Sequence, residues 1–225
     1  MDTIYGLPII KYEDLEQSLS ELGILRKKIR IRKKPEEIDK TVLDPNIQEQ
    51  FKYAPQIEVI QYESDPNLWF VSRQTNWVRV CVPLPDNYVL LTAEFLAGIN
   101  DIMIGFCGGC IDEGETPESC AIREVREESG LILATVVPLA SKGLPISGRK
   151  SSELVFPFWG IPSLNTSGEI QRVNPTPDRE EGIKPFLMSF TDYWKFIENP
   201  TMLHSTASRD CAYATFRKIG KISIT

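Results

Sequence analysis

One histidine, His204, serves the whole chain of 225 residues. That scarcity argues against hydrolases built on a Ser-His-Asp or Cys-His arrangement, which need an imidazole beside the nucleophile. Cysteines number five, at positions 81, 107, 110, 120 and 211. An odd count without framework spacing excludes a disulfide scaffold and points to a reducing, cytoplasmic setting. Cys107-Gly-Gly-Cys110 has CxxC spacing, but zinc would need a fourth ligand, and His204 is far off in sequence. No apolar run approaches the ~20 residues that span a bilayer, and no membrane partner is expected. The opening MDTIYGLPIIKYEDLEQ carries early acidic residues and no long apolar stretch, unlike a secretion signal. Basic charge is in deficit too. A net charge of −6 disfavours general attraction to nucleic acid or anionic membrane, although a local patch can still act.

What is present supports a real core: 42% of the residues are hydrophobic, enough for one globular domain with an appendage. The first 55 residues read as that appendage and residues 56–225 as the domain. In Tyr12 to Leu22, leucines 15, 19 and 22 recur at helical spacing, with Gly23 as a stop. Next, seven of the nine residues from Arg26 to Lys34 are basic. They suit a solvated edge strand, or an anion-binding strip for RNA, a phosphate-rich ligand or an acidic partner. Residues 35–55 look like polar helix and linker.

From Gln56 the texture changes. IEVIQYE, LWFVSRQ, WVRVCVPL and YVLLTAEFL are rich in branched and aromatic residues and read as strands, with a turn at PDNY. IMIGFCGG leads into GCIDEGETPESCAIREVREESGL, and ATVVPLAS and SELVFPFWGI read as further strands. A long polar loop follows, SLNTSGEIQRVNPTPDREEG, of the kind that carries function inside a compact domain. SFTDYWKFIEN and SRDCAYATFRKIG are helical patterns. Many strands, one central helix and late helices imply an α+β fold, a sandwich of helices on a sheet.

The stretch from 109 to 131 concentrates the chemistry. Thr116 and Pro117 are a helix start and Gly130 a stop. Between them Glu124 is followed by Glu127 and Glu128, which places three carboxylates on one helical face. Such stacking is unfavourable unless a cation sits among them or each finds an ordinary partner, as Arg123 offers to Glu127. Hard divalent ions take carboxylate and backbone carbonyl oxygens, and the Gly108-Gly109 pair lets the backbone come close enough to offer one.

The spacing is more specific than acidity. Gly109, Glu115, Arg123, Glu124, Val125, Glu127, Glu128, Gly130 and Leu131 fit G-x5-E-x7-R-E-U-x-E-E-x-G-U, where U is aliphatic, at every defined position. At ordinary residue abundances a chance match is on the order of one in ten million. The stretch resembles the Nudix box, and the protein is similar to Nudix hydrolases. The resemblance implies a Nudix-type α/β/α sandwich with a mixed sheet and Mg2+-dependent hydrolysis of a nucleoside diphosphate linked to another moiety, with Mn2+ as a substitute. It implies Glu124 and Glu128 as principal metal ligands, Glu127 as another, and the Gly108 carbonyl beside them. Glu115 and Arg123 would pair to hold loop against helix.

Outside the box the likeness is looser, running from about residue 75 to 217, and is greatest to ADP-ribose and ADP-sugar pyrophosphatases. It suggests Glu181 or Glu180 as the base, Glu153 in support and Gly109 against the substrate. Trp69 or Trp77 would stack on the adenine, or else lie in the core. In several of those enzymes the N-terminal strands help form a dimer, so the resemblance implies a homodimer. The chain departs from them at Cys107, where proline is usual, and at Leu96, where arginine is common. Other substrates, capped RNA or a dinucleoside polyphosphate, stay open, as does a nucleotide-sensing module without turnover.

Overall fold

Branched residues at successive positions build the sheet, because their side chains pack well on a pleated surface. A computed structural model describes residues 2–24, 56–60, 69–96, 100–147, 151–176 and 182–221. The chain begins with β1 (Thr3–Ile4), β2 (Leu7–Pro8), α1 (Leu15–Glu21), β3 (Gln56–Ile60), β4 (Trp69–Arg73), β5 (Trp77–Leu84) and β6 (Tyr88–Leu96). It continues through β7 (Asp101–Gly105), α2 (Pro117–Ser129), β8 (Leu133–Pro138), β9 (Leu144–Pro145) and β10 (Leu154–Pro162). Last come β11 (Lys184–Ser189), α3 (Phe190–Glu198), β12 (Leu203–His204) and α4 (Thr206–Lys218).

The main sheet is mixed. Its order among the described strands is β12-β7-β6-β5-β10-β8, with β11 beside β6 and β9 beside β10. β5 runs antiparallel to β6 and parallel to β10, with Trp77 opposite Val155. One face of the sheet meets α2: Val78, Val80 and Val82 pack with Cys120, Ala121 and Val125. The other meets α1, α3 and α4, where Cys81, Val89 and Leu91 join Leu19, Phe196 and Phe216. Helices on both faces of a mixed sheet are the expected α+β sandwich. Among the described residues, no helix is long and apolar enough to cross a membrane.

The N-terminal residues share this core. Leu7 packs on the α2 side, and Ile10, Leu15, Leu19 and Ile24 pack on the other. They come from the segment that the sequence reading set aside as part of the appendage. The Arg26–Lys34 strip and Glu180 and Glu181 lie outside the described residues.

The PDNY turn forms with Asp86 and Asn87 in the left-handed region, at φ 63° and 65°. Asparagine and aspartate tolerate that region better than most residues. The sequence reading assigns no element to KPFLMS, between the polar loop and the following helix; it is β11, paired along β6 from Ser189–Tyr88 to Lys184–Ala93. Phe186, Leu187 and Met188 are all fully buried. A short, continuously apolar run buried on both faces has no alternation to betray it.

Candidate metal and active site

The helix that carries the carboxylates starts and stops where its sequence demands. Thr116 accepts a hydrogen bond from the Ser119 amide, Ser119 answers through its hydroxyl, and Pro117 opens the first turn. Gly130 ends it at φ 75°, a left-handed cap. The opposite wall is the turn after β7. The amides of Val80 and Val78 donate to the carbonyls of Cys107 and Gly109, each at 2.9 Å. In such an extended pairing alternate peptides face alternate ways, so the Gly108 peptide faces away from β5. Its amide donates to Glu128 Oε2 at 3.3 Å.

Both glycines are required by close approach. A Cβ on Gly108 would sit 2.1 Å from the Val78 carbonyl oxygen, and one on Gly109 would sit 2.4 Å from Glu124 Oε1. The glycine turn therefore lies directly on the carboxylate face of α2.

Arg123 organises the rest. It grips Glu115 through two bonds of 2.9 Å and reaches Glu124 at 2.8 Å and Glu127 at 3.1 Å through Nη1. Nη2 also donates to the Cys110 carbonyl at 3.1 Å, which ties α2 to the end of the turn. The Glu115 pairing is the one the family resemblance implies, whereas the bonds to Glu124 and Glu127 draw two of the expected metal ligands onto the arginine. Among the described residues, no three acidic, cysteine or histidine side chains converge as a ligand set. Arg123 supplies the positive charge that lets Glu124 and Glu127 stand one turn apart.

The carboxylates differ in setting. Glu128 is the deepest, 9% exposed, and burial followed by the charge of Glu124 pushes its pKa up to about 8. Burial also raises Glu124, with the Arg123 charge opposing. Glu115 is held below the usual carboxylate range, first by its bonds from Arg123. The Cys107 thiol, in the position where proline was expected, is fully buried and pushed well up by that burial.

The remaining candidates lie on β4, on β5 and at the start of β10. Glu153 stands just before β10, its amide bonded to Ser151 Oγ at 3.2 Å. Two residues on, Val155 pairs with Trp77, and Trp77 bridges to Cys110, so the start of β10 and the glycine turn flank the same end of β5. Trp77 is half-buried and carries the Arg79 guanidinium over its ring at 4.7 Å. Trp69 is placed by its backbone as the first residue of β4.

Arg79 was not foreseen as a site residue. Its Nη1 donates to the Phe106 carbonyl at 2.6 Å, and its charge acts on Glu128. The available signal was a charge inside WVRVCVPL, a strand buried on both faces, where an arginine needs a reason. The exposed residue of the CxxC pair is Cys110, and the described cysteines form no disulfide with one another.

Known proteins share this fold. A solved structure described as an ADP compounds hydrolase superposes with a TM-score of 0.57 at 18% identity, covering 75% of this chain and 97% of that one. At that identity the likeness is one of fold. In sequence, the ADP compounds hydrolase NudE of Escherichia coli (strain K12) is 39% identical over 59 residues. That match covers 26% of this chain and only 32% of NudE's own length. The model of the NUDIX domain matches residues 75–206, which hold the sheet, the glycine turn and the carboxylate helix together, and the chain belongs to the Nudix family.

Proposed function

We propose that this protein hydrolyses the diphosphate bond of a nucleoside diphosphate linked to another moiety, with ADP-ribose or an ADP-sugar as substrate and AMP and a sugar phosphate as products. The observation that carries this reading is the Glu128–Gly108 bond, which brings the deepest carboxylate of α2 and the peptide of the glycine turn to one point.

The residues fit a hard divalent ion such as Mg2+ or Mn2+. Glu124, Glu127 and Glu128 offer oxygen donors from one helix, and the Gly108 carbonyl faces the same side as its amide. Gly109 leaves open the space that any side chain would take from Glu124. When bound there, the ion would neutralise diphosphate charge and make a water more acidic.

The chain's own groups do the rest. Arg123 and Glu115 fix the turn against the helix, and Glu124 and Glu127, now bonded to Arg123, would have to leave it to hold a cation. A water oxygen joins one phosphorus while the bridging oxygen leaves with the other phosphate. Glu181, Glu180, Glu127 and Glu153 are the candidates for taking the water's proton. Trp77, with Arg79 on one ring face, keeps the other for a nucleobase, and Trp69 is the second candidate.

A homodimer is part of the proposal. β3 and β4 form a ribbon of their own, with Val59 opposite Phe70. Ile57, Val59 and Phe70 on its one face are 66%, 56% and 64% exposed. A two-stranded ribbon is marginal alone, and an apolar face on it suits a second copy.

The test is a Mg2+-supplemented hydrolysis screen of ADP-ribose, ADP-glucose, other nucleotide sugars, dinucleoside polyphosphates, dinucleotide cofactors and capped RNA. Turnover of ADP-ribose or an ADP-sugar, lost in Glu127→Gln and Glu128→Gln, supports the proposal. Turnover of capped RNA that falls when Arg26 to Lys34 are neutralised moves the function to nucleic acid. No turnover at all leaves nucleotide sensing.

A further inference from the structure

We propose that Arg79 is a positioning residue, a brace that holds the glycine turn so that the Gly108 carbonyl is presented beside Glu128. This role rests on the metal reading above.

The turn is fastened at both ends. At its end, Trp77 bridges to Cys110 and the Ile111 amide donates to the Asn76 carbonyl at 2.9 Å. At its start, the Phe106 peptide is held from two directions. Its amide donates to Ser208 Oγ at 3.0 Å, and its carbonyl accepts Arg79 Nη1 at 2.6 Å. Between the ends, β5 takes Cys107 and Gly109 but not Gly108. The direction of the Gly108 peptide is therefore set by how firmly Phe106 and Cys110 are fixed. Arg79 sits on β5 between the two valines that bind the turn.

The choice of arginine is costly for packing alone. Arg79 lies between neighbours that are fully buried, Val78 and Val80, and its Nε is buried without a hydrogen-bond partner among the described residues. Burying a partly satisfied cation is unfavourable, and a long apolar side chain would fill the space without that penalty. What an apolar chain lacks is the planar fork. With its Cζ 4.7 Å over the Trp77 ring, the guanidinium is bounded on that side while its Nη1 meets the Phe106 carbonyl. Trp77 thus serves the turn twice, through its backbone at Cys110 and through its ring under Arg79. Lysine could keep the charge, but not the fork.

A brace and a mere countercharge predict opposite signs. Taking away a cation near Glu128 should tighten binding of a divalent ion if charge alone matters. If Arg79 acts by geometry, taking it away should weaken binding. The experiment measures Mn2+ affinity of the full chain by electron paramagnetic resonance without substrate, in wild type, Arg79→Met, Arg79→Lys and Ser208→Ala. Melting temperatures and hydrogen exchange of the 104–111 amides in chelator accompany it.

The expected result is about tenfold weaker Mn2+ binding in Arg79→Met, the size typical of lost outer-shell support, with a smaller loss in Arg79→Lys. Faster exchange of the turn should accompany it. Ser208→Ala, which loosens the other side of Phe106, should weaken binding in the same direction, and it keeps the test open if Arg79→Met does not fold. In turnover, half-saturating Mg2+ should rise. Equal or tighter Mn2+ binding in the folded variants overturns the role. A wild type that takes no Mn2+ overturns it together with the metal reading.

Discussion

The Arg123 guanidinium closes on Glu115 as a fork, Nε to Oε1 and Nη2 to Oε2, both at 2.9 Å. Because the pair joins the loop before α2 to the middle of the helix, losing it loosens the frame that holds the carboxylates. Arg123→Ala should cost about 2 kcal/mol, less than a fully buried pair because part of the side chain stays in water. The pH dependence has a definite sign. Glu115 is held below its ordinary value, so its contribution is present above that value and is lost as pH falls through the lower folded one. Thermal melts of wild type and Glu115→Gln should therefore differ at pH 7 and converge as acid carries the pH below the lowered folded value. A gap that ignores pH would show that ionisation is not what the pair uses.

The two glycines of the turn should fail in different ways. An alanine methyl at 108 meets the Val78 carbonyl, which is backbone in a central strand and cannot give way. Gly108→Ala should lower the melting temperature sharply. At 109 the obstacle is the Glu124 carboxylate, the free end of a side chain. Gly109→Ala should melt close to wild type yet bind Mn2+ more weakly, by roughly 10- to 100-fold, the scale of misplaced metal ligands. Equal melting losses in both variants would contradict this division.

Much of the fold was legible because local signals agreed with the global structure. Thr116-Pro117 and Gly130 bound α2 as their chemistry requires, and the run WVRVCVPL forms β5. The Glu115–Arg123 tie is one that the family resemblance implies. What stayed hidden were effects that only packing creates. β11 has no alternation, because both its faces are covered. Leu7 and Leu19 join opposite core layers, although their own neighbourhood in sequence reads as an appendage. Arg79 belongs to no motif, and its role depends on α4 covering the far side of β5. Spacing shows which carboxylates share a helical face and that Arg123 is placed for Glu127; it does not show that Arg123 holds Glu124 as well.

His204 should be the group through which mild acid destabilises the core. Burial, and then the charges of Arg209 and Arg79, lower its pKa to about 4. The ring lies against Phe196 and reaches the Tyr193 hydroxyl at 3.3 Å. Between about 4 and its ordinary 6.5 the unfolded chain takes the proton and the folded one refuses it, so stability falls as pH drops through that window. His204→Gln should flatten the dependence of urea midpoints on pH between 4 and 6.5. An unchanged slope would locate the acid sensitivity elsewhere.

Glu128 should act in the opposite sense and connect stability to metal. Its folded pKa, about 8, lies above the ordinary 4.5 because burial and Glu124 disfavour the charge. From pH 4.5 to 8 the folded, metal-free protein keeps a proton that the unfolded chain releases, so this group's contribution declines as pH rises. A divalent ion needs the carboxylate ionised, and its binding must expel that proton. Apparent Mg2+ affinity should therefore climb with pH and level off near 8. Melting curves from pH 5.5 to 9, in chelator and in Mg2+, read both effects at once. The metal-free melting temperature should fall toward alkaline pH in wild type more than in Glu128→Gln. The rise produced by Mg2+ should grow with pH in wild type, and stay small and flat in the variant. If Mg2+ raised the wild-type melting temperature equally at pH 6 and 8.5, the proton displaced by the metal would not be the one on Glu128.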